Sequence, residues 1–143
     1  MFKTIFLLVS FVALAAFNSV GAAQEPATVG DILGKGGKKL TKDEAVKLLT
    51  GATVTGPQVL DRSLQFEMTY EATGTASGFG SQKTIKVIGK WWINEQGQLC
   101  TELENSNRLK FGNCSFYFVL GSSYYLAIND ETATPLYDRQ VKR

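Results

Sequence analysis

The sequence has no histidine, two cysteines and three prolines, and its 15 basic residues nearly balance its 13 acidic residues. Without histidine, the chain lacks the commonest general base, the commonest transition-metal ligand and any Ser-His or Cys-His nucleophile pair. A formal net charge of +2 over 143 residues is too small to indicate a nucleic-acid binder. These absences disfavour metal sites, most familiar catalysis and nucleic-acid binding, and we expect no cofactor.

Only the beginning of the chain carries a long apolar run. Lys3 precedes this run, which extends from Ile5 to Phe17, and the small residues from Gly21 to Ala23 follow it. This layout is typical of a secretory signal peptide, because the run is shorter than the about 20 residues that a membrane-spanning helix needs. We predict a signal peptide over residues 1–23, export to the periplasm or beyond, and no transmembrane segment in the mature chain.

Cys100 and Cys114 are the only cysteines, and both follow the predicted signal peptide. In an oxidising compartment we expect them to pair, and closing a loop of about 15 residues contributes about 3 kcal/mol in the chain-entropy model. A reactive thiol and half of a metal site are the alternatives. A metal would need further soft or imidazole ligands, and no histidine can supply them. We therefore predict one disulfide and no metal site.

The mature chain begins with a stretch rich in glycine and lysine. Residues 24–40 match no phosphate-binding loop, and we predict a flexible basic linker there. Thr41 and Glu44 then have the spacing of a capping box, and an apolar stripe follows them. This pattern predicts one short helix over residues 42–50, at the start of a single β-rich domain that covers residues 41–143.

After the predicted helix, apolar residues recur at every second position, as in half-buried strands. The short connections favour an antiparallel meander that is closed or half-closed into a small barrel. We therefore predict a mainly β fold of six to seven strands with one short N-terminal helix. The predicted strands include 64–70, 84–93, 98–104, 114–121, 123–129 and an edge strand at 134–141, and the Gly/Ser/Thr-rich segment 72–82 is predicted to be a flexible loop.

The two tryptophans are expected to face opposite sides of the strand over residues 84–93. Trp91 shares its face with apolar residues and Trp92 lies among lysines, provided that Gly89 does not mark a bulge. Aromatic residues with polar neighbours are typical of surfaces that bind glycans or proteins. The alternative is that the aromatic residues line the interior of a barrel or lie under the helix. The candidate binding surface consists of Trp92, Tyr117, Tyr125, Lys86, Lys90 and Glu102.

Small polar residues also form the predicted turn before the strand at 123–129. This candidate partner loop consists of Gly121, Ser122, Ser123 and Tyr124. It resembles, in composition and setting, the short Ser/Gly/Tyr loop that periplasmic lysozyme inhibitors insert into their partner's cleft. Those inhibitors are also small exported β-barrels with a disulfide. An ordinary hairpin turn is the alternative interpretation.

Hydrolysis by general acid-base catalysis would need two carboxylates in one cleft. Glu102 and Glu104 point the same way on one predicted strand, and Glu67 and Glu71 do so near another. A solvated strand face accounts for both pairs without catalysis. We therefore assign no catalytic residue, and a hydrolase is the least favoured of the functions considered.

Three short motifs together resemble a known family. They are the helix end from Leu48 to Gly51, the hairpin from Gly89 to Cys100, and Cys114 leading into an apolar strand with Gly121 and Tyr124-Tyr125. Over roughly Leu40 to Ile128 the chain resembles the exported alphaproteobacterial family catalogued as domain of unknown function 995. The resemblance implies a Gram-negative envelope location and a paired Cys100 and Cys114, and it assigns no catalytic residue.

Taken together, these patterns predict an exported, non-enzymatic binding or envelope-associated protein. Its partner would be an envelope or secreted protein. One alternative is a carrier of a small apolar ligand, which requires buried aromatic residues around a cavity of a few hundred Å³. A lysozyme-inhibitor-like protein is the other.

Overall fold

The computed structural model describes residues 24–80 and 83–143. The predicted signal peptide therefore lies outside the described residues. No helix in the described ranges is both long enough and apolar enough to cross a membrane. The helices are α1 (Val29–Gly34) and α2 (Lys42–Leu49), and the strands are β1 (Lys38–Lys39), β2 (Ala52–Pro57), β3 (Gln65–Tyr70), β4 (Thr75–Phe79), β5 (Lys86–Ile93), β6 (Leu99–Asn105), β7 (Lys110–Phe111), β8 (Cys114–Leu120), β9 (Ser123–Ala127) and β10 (Tyr137–Lys142).

Eight of the strands form a closed antiparallel barrel. Strands β2 to β6 pair with their neighbours in chain order, β8 to β10 do the same, and β10 pairs with β2. β8 also pairs with β6, and this contact completes the ring. The predicted mainly β barrel with a disulfide is confirmed, but the strands outnumber the predicted six to seven because β1 and β7 are short additions and β4 was not predicted.

The closing contact between β6 and β8 is short. It consists of the pairs Leu99–Ser115 and Cys100–Cys114. β7 pairs with β6 in the same register, so β7 and β8 act as two parts of one strand, interrupted at Gly112–Asn113. The two cysteines form the predicted disulfide, with their Cα atoms 4.0 Å apart. A covalent bond therefore lies at the point where the ring closes.

Inward and outward side chains alternate along the barrel strands. The register of β5 with both of its neighbours continues through Gly89, so no bulge interrupts the alternation. Trp91 consequently faces the interior and is buried, whereas Trp92 faces outward and is 42% exposed. This is the arrangement that the sequence pattern predicts.

Helix α2 closes one end of the barrel, close to the predicted position. The Thr41 hydroxyl accepts a hydrogen bond from the Glu44 N–H, and the Glu44 carboxylate accepts one from the Thr41 N–H. This capping box satisfies two N–H groups that the first helical turn leaves free. The helix packs on β2 and β5 through Ala45 and Leu49, which are buried in the main core. We call this the closed end.

The segment 24–40 is not the flexible linker that the composition predicts. Thr28 and Asp31 form a second capping box, which starts α1. Val29 and Ile32 are fully buried in a separate cluster on the outer face of β8 and β9. The linker prediction was wrong because the many glycines and lysines outweighed a Thr-x-x-Asp signal and two apolar residues that follow helical spacing.

Two further predictions, the loop at 72–82 and the edge strand at 134–141, were wrong. β4 lies within segment 72–82, where a loop was expected. Its inward positions are Ala76 and Gly78, and a Cβ atom at Gly78 would meet the Glu67 carbonyl oxygen at 2.0 Å. Small residues are therefore needed where β3 and β4 approach closely. β10 was predicted to be an edge strand, but it pairs with β9 on one side and with β2 on the other.

Candidate ligand-binding cavity

The barrel encloses a cavity of about 340 Å³. It reaches Val59 and Gly80, which lie in the β2–β3 and β4–β5 loops, opposite to the end that α2 covers. We call this the open end. The interior of an eight-stranded barrel is just wide enough for side chains or for one small ligand. Most of the wall is apolar, and its members include Met68, Val87, Leu99, Leu103 and Leu126.

The two halves of the barrel interior are filled differently. Trp91 and Tyr117 fill the core near α2, and Trp91 packs edge-on against Tyr70 with ring centroids 5.4 Å apart. Toward the open end, the inward positions include the short Val87 as well as the large Phe66, and the space between the side chains is not filled. The same alternation thus produces a packed half and a hollow half.

An arginine lies inside the barrel and lines the cavity. Arg139 is only 5% exposed, and its Nη1 donates to the carbonyl oxygens of Pro57 at 3.0 Å and Asp138 at 2.8 Å. Its guanidinium lies over the Phe66 ring, 4.9 Å from the centroid. A Cβ atom at Gly56 would come within 2.9 Å of Nη1, so the absence of a side chain there leaves room for the arginine.

The buried guanidinium has no acidic partner. Among the described residues, no carboxylate forms an ion pair with Arg139. The Arg139 Nε, the Ser115 Oγ and the Tyr117 hydroxyl are all buried without a hydrogen-bond partner. Buried charges are normally paired, and a buried donor that lacks an acceptor costs free energy. Arg139 and Ser115 line the cavity, so its wall contains polar groups without a hydrogen-bond partner among the described residues.

Burial also determines the protonation of these groups. Burial lowers the pKa of Arg139, and the nearby hydroxyls of Tyr117 and Tyr70 oppose that shift. Burial raises the pKa of Tyr117 to about 12, although the guanidinium lies close to its hydroxyl. Burial raises the pKa of Tyr70 as well. At neutral pH the cluster therefore holds one positive charge and neutral hydroxyls.

The structure separates the aromatic residues of the predicted binding surface. Trp92 lies on the outer face of β5, where Lys90 is opposite Glu102 and Lys86 is also exposed. Tyr117 is 1% exposed and lies in the main core. Tyr125 is 4% exposed on the outer face of β9, with the residues of α1 around it. The three rings do not form one surface. Tyr117 lies on the inner face of the barrel, and Trp92 and Tyr125 lie on parts of the outer face that are exposed and covered, respectively.

The predicted partner loop is a tight hairpin turn between β8 and β9. Gly121, Ser122 and Ser123 are exposed, and Gly121 adopts a φ of +60°. Tyr124 instead faces inward and packs against the main core. The part of the loop that is free to project is therefore only three residues long.

The candidate carboxylate pairs lie outside the cavity. Glu102 and Glu104 are on the outer face of β6, and Glu104 pairs with Arg108 at 3.4 Å. Glu67 faces outward from β3, and Glu71 is exposed just after that strand. No described carboxylate lines the cavity. The described residues also contain no group of three or more acidic or cysteine side chains that could hold a metal ion.

Arg139 was not among the residues predicted from the sequence to form a site. A signal for it does exist, because Tyr137, Arg139 and Val141 alternate with three polar residues at the end of the chain. The alternation places the arginine on the apolar face of its strand. A basic residue at a position where the alternation predicts a core residue is the signal that identifies a buried arginine such as Arg139.

Comparisons of the chain with protein-family models, with curated proteins and with solved structures find no match. The resemblance to the domain of unknown function 995 family therefore stays a prediction. What the cavity does has to be argued from the residues that form it.

Proposed function

We propose that the protein is an exported, non-enzymatic binding protein that holds one small, largely apolar ligand inside its barrel. The observation that carries this proposal is the cavity of about 340 Å³, which has an apolar wall and an open end. Small-molecule sites range from about 300 to 1,000 Å³ and combine apolar walls with a few polar groups. The cavity has both properties.

Export is supported by the signal-peptide pattern at residues 1–23 and agrees with the disulfide. Disulfides persist in oxidising compartments such as the periplasm. The resemblance to the domain of unknown function 995 family also favours a location in a Gram-negative envelope. We therefore propose the periplasm or the exterior of the cell as the place where the ligand is bound.

A carrier role is better supported than a protein-docking role. Docking through the predicted aromatic surface would need Trp92, Tyr117 and Tyr125 on one exposed face, and two of these side chains are buried. The cavity, in contrast, already has an opening and a wall. We expect the occupant to be small, because the volume corresponds to roughly 11 water-sized groups at about 30 Å³ each.

Titration calorimetry with decanol tests the proposal. Burying about nine methylene groups at about 0.8 kcal/mol each predicts a dissociation constant on the order of 10 μM. Leu103→Trp adds a large ring to the cavity wall and should weaken binding by about tenfold or more, since the ligand and the ring compete for one volume. Thermal unfolding shows whether this variant remains folded.

Leu33→Trp is the matched control. Leu33 is exposed on α1 and does not line the cavity. This variant should bind decanol as the unaltered protein does. Absence of decanol binding by the unaltered protein, or equal weakening by both tryptophan variants, would refute the proposal.

A further inference from the structure

Resting on the proposed function, we infer that the ligand carries a carboxylate and that Arg139 binds this group inside the barrel. The chemical class is a medium-chain carboxylic acid, with an alkyl chain against the apolar wall. Three observations support a head group of this kind at this residue.

The first observation is the unsatisfied charge. Arg139 is 5% exposed and uses Nη1 for two backbone carbonyls, while its Nε has no acceptor. Both carbonyls are neutral, and no described carboxylate pairs with the guanidinium. A guanidinium presents its N–H groups in a fork that matches the two oxygens of a carboxylate. A carboxylate from outside the chain would supply the missing acceptor and the missing charge.

The second observation is the contrast between this buried arginine and an exposed one. Burying a charge costs free energy unless the charge is paired and hydrogen-bonded. Arg62 offers a contrast, because it is an exposed arginine that stacks on Tyr137 at 4.2 Å and donates to the Leu136 carbonyl. Arg62 has solvent for its remaining donors. Arg139 is buried, lines the cavity and lies close to the Tyr117 hydroxyl, and the absence of a side chain at Gly56 leaves room for it.

The third observation is that the groups around the guanidinium are neutral hydroxyls. Ser115 lines the cavity with a buried hydroxyl that lacks a partner, and Tyr117 has a neutral hydroxyl near the guanidinium. One cation and neutral donors match one singly charged group. A phosphate dianion would bring a second charge that nothing described in the wall neutralises. The remaining volume admits an alkyl chain of roughly ten carbons at about 30 Å³ per group.

The test compares decanoate with decanol by titration calorimetry at neutral pH. The two probes share their chain length, so the ratio of their dissociation constants reports the head group. We expect decanoate to bind roughly tenfold to a hundredfold more tightly than decanol, because a hydrogen bond between a carboxylate and a buried guanidinium is charge-assisted and stronger than a neutral one. Arg139→Met should remove this preference, so that the dissociation constants of the two probes come within about threefold of each other.

Arg62→Met is the matched control, because it removes an arginine that does not line the cavity. It should leave the preference for decanoate intact. Ser115→Ala should reduce the preference by about threefold to tenfold, as loss of a neutral hydrogen bond does. If Arg139→Met does not fold, the ratio of the decanoate and decanol dissociation constants still tests the inference when it is compared between the unaltered protein and Ser115→Ala.

The outcomes separate the inference from the function on which it rests. Equal affinity for decanoate and decanol in the unaltered protein, or a preference that survives Arg139→Met, would overturn the carboxylate inference and leave an apolar-ligand carrier. Failure of both probes to bind would overturn the carrier proposal as well. A preference for decanoate that Arg139→Met abolishes and Arg62→Met preserves is the result that supports the inference.

Discussion

The two ends of the barrel are built from the same alternating strands, yet they differ in what fills them. At the closed end, Leu49 from α2 packs over a core that contains Trp91 and Tyr70. At the open end, Phe111 is half exposed at the cavity wall and Leu60 is fully exposed in the β2–β3 loop. The closed end buries large apolar side chains, whereas the open end leaves apolar surface in contact with solvent.

The charges differ between the ends in the same way. Around α2, Lys38 pairs with Glu44 and Lys42 pairs with Glu95, and both pairs are exposed to solvent. Near the cavity, the single cation is buried and has no acidic partner among the described residues. The closed end is therefore well packed with paired surface charges, whereas the open end has unfilled space and a buried cation without an acidic partner among the described residues. Under the proposed function, a ligand would supply both the packing and the acceptor.

The largest expected effect comes from the closed end. Leu49→Ala removes a fully buried side chain and should lower the free energy of unfolding by about 3 to 4 kcal/mol. Val46→Ala on the same helix is the control, because Val46 is exposed and its loss should cost less than about 0.5 kcal/mol. Urea unfolding measures both. Equal costs for the two variants would show that α2 does not seal the core.

The disulfide at the ring closure should have a comparable effect. Replacing Cys100 and Cys114 together by alanine should lower the free energy of unfolding by about 3 kcal/mol, since the bond closes a loop of about 15 residues. Decanol affinity of the folded fraction should change little, because neither cysteine lines the cavity. A large loss of affinity with little loss of stability would assign the disulfide to the binding site instead.

Gly56→Ala should affect the open end more specifically. The new Cβ atom would lie 2.6 Å from the Asp138 carbonyl oxygen and 2.9 Å from Arg139 Nη1. We expect a loss of about 1 to 3 kcal/mol in unfolding free energy and a weaker preference for decanoate, as the guanidinium is displaced. Gly34→Ala is the control, because its new methyl group would have no atom within 4 Å apart from its chain neighbours and the backbone of its own helix. An unchanged preference for decanoate in Gly56→Ala would separate this glycine from the site.

The smallest effect concerns the capping box of α2. The Lys38 ammonium and the Thr41 N–H lower the pKa of Glu44 from 4.5 to about 2. The stabilisation by the ionised carboxylate is therefore fully present above about pH 4.5 and is lost as the pH falls toward 2. The difference in melting temperature between the unaltered protein and Glu44→Gln should shrink over that interval. A difference that stays constant from neutral pH to pH 2 would show that Glu44 does not titrate with folding.

Much of the fold follows from local patterns in the sequence. The capping box at Thr41 and the alternation from Lys86 to Ile93 predict α2 and β5 nearly to the residue. Prediction failed where composition outweighed pattern. β4 consists largely of small residues that suit a loop, and only the close approach of β3 explains why Gly78 belongs in a strand. α1 is short, and its stability depends on burial against β8 and β9, which are distant in the sequence.

The candidate site could be predicted only in part. The alternation identifies Trp92 as an outward residue, but it does not tell whether an outer face is exposed or covered, and Tyr125 is covered by residues of α1. Tyr117 was assigned to the same surface as Trp92, although it lies on the inner face of its strand. The cavity results from strand number and from side-chain sizes on several strands together. Such a property belongs to the closed ring and not to any segment of the sequence.

The most direct test of the central claim is a crystal structure of the protein grown with 10-bromodecanoate. The anomalous signal of bromine locates the alkyl chain without ambiguity. We expect a single bromine inside the barrel, against the wall that includes Val87 and Leu103, with the carboxylate on Arg139. Bromine bound only on the outer surface, for example near Trp92, with the cavity unchanged, would contradict it.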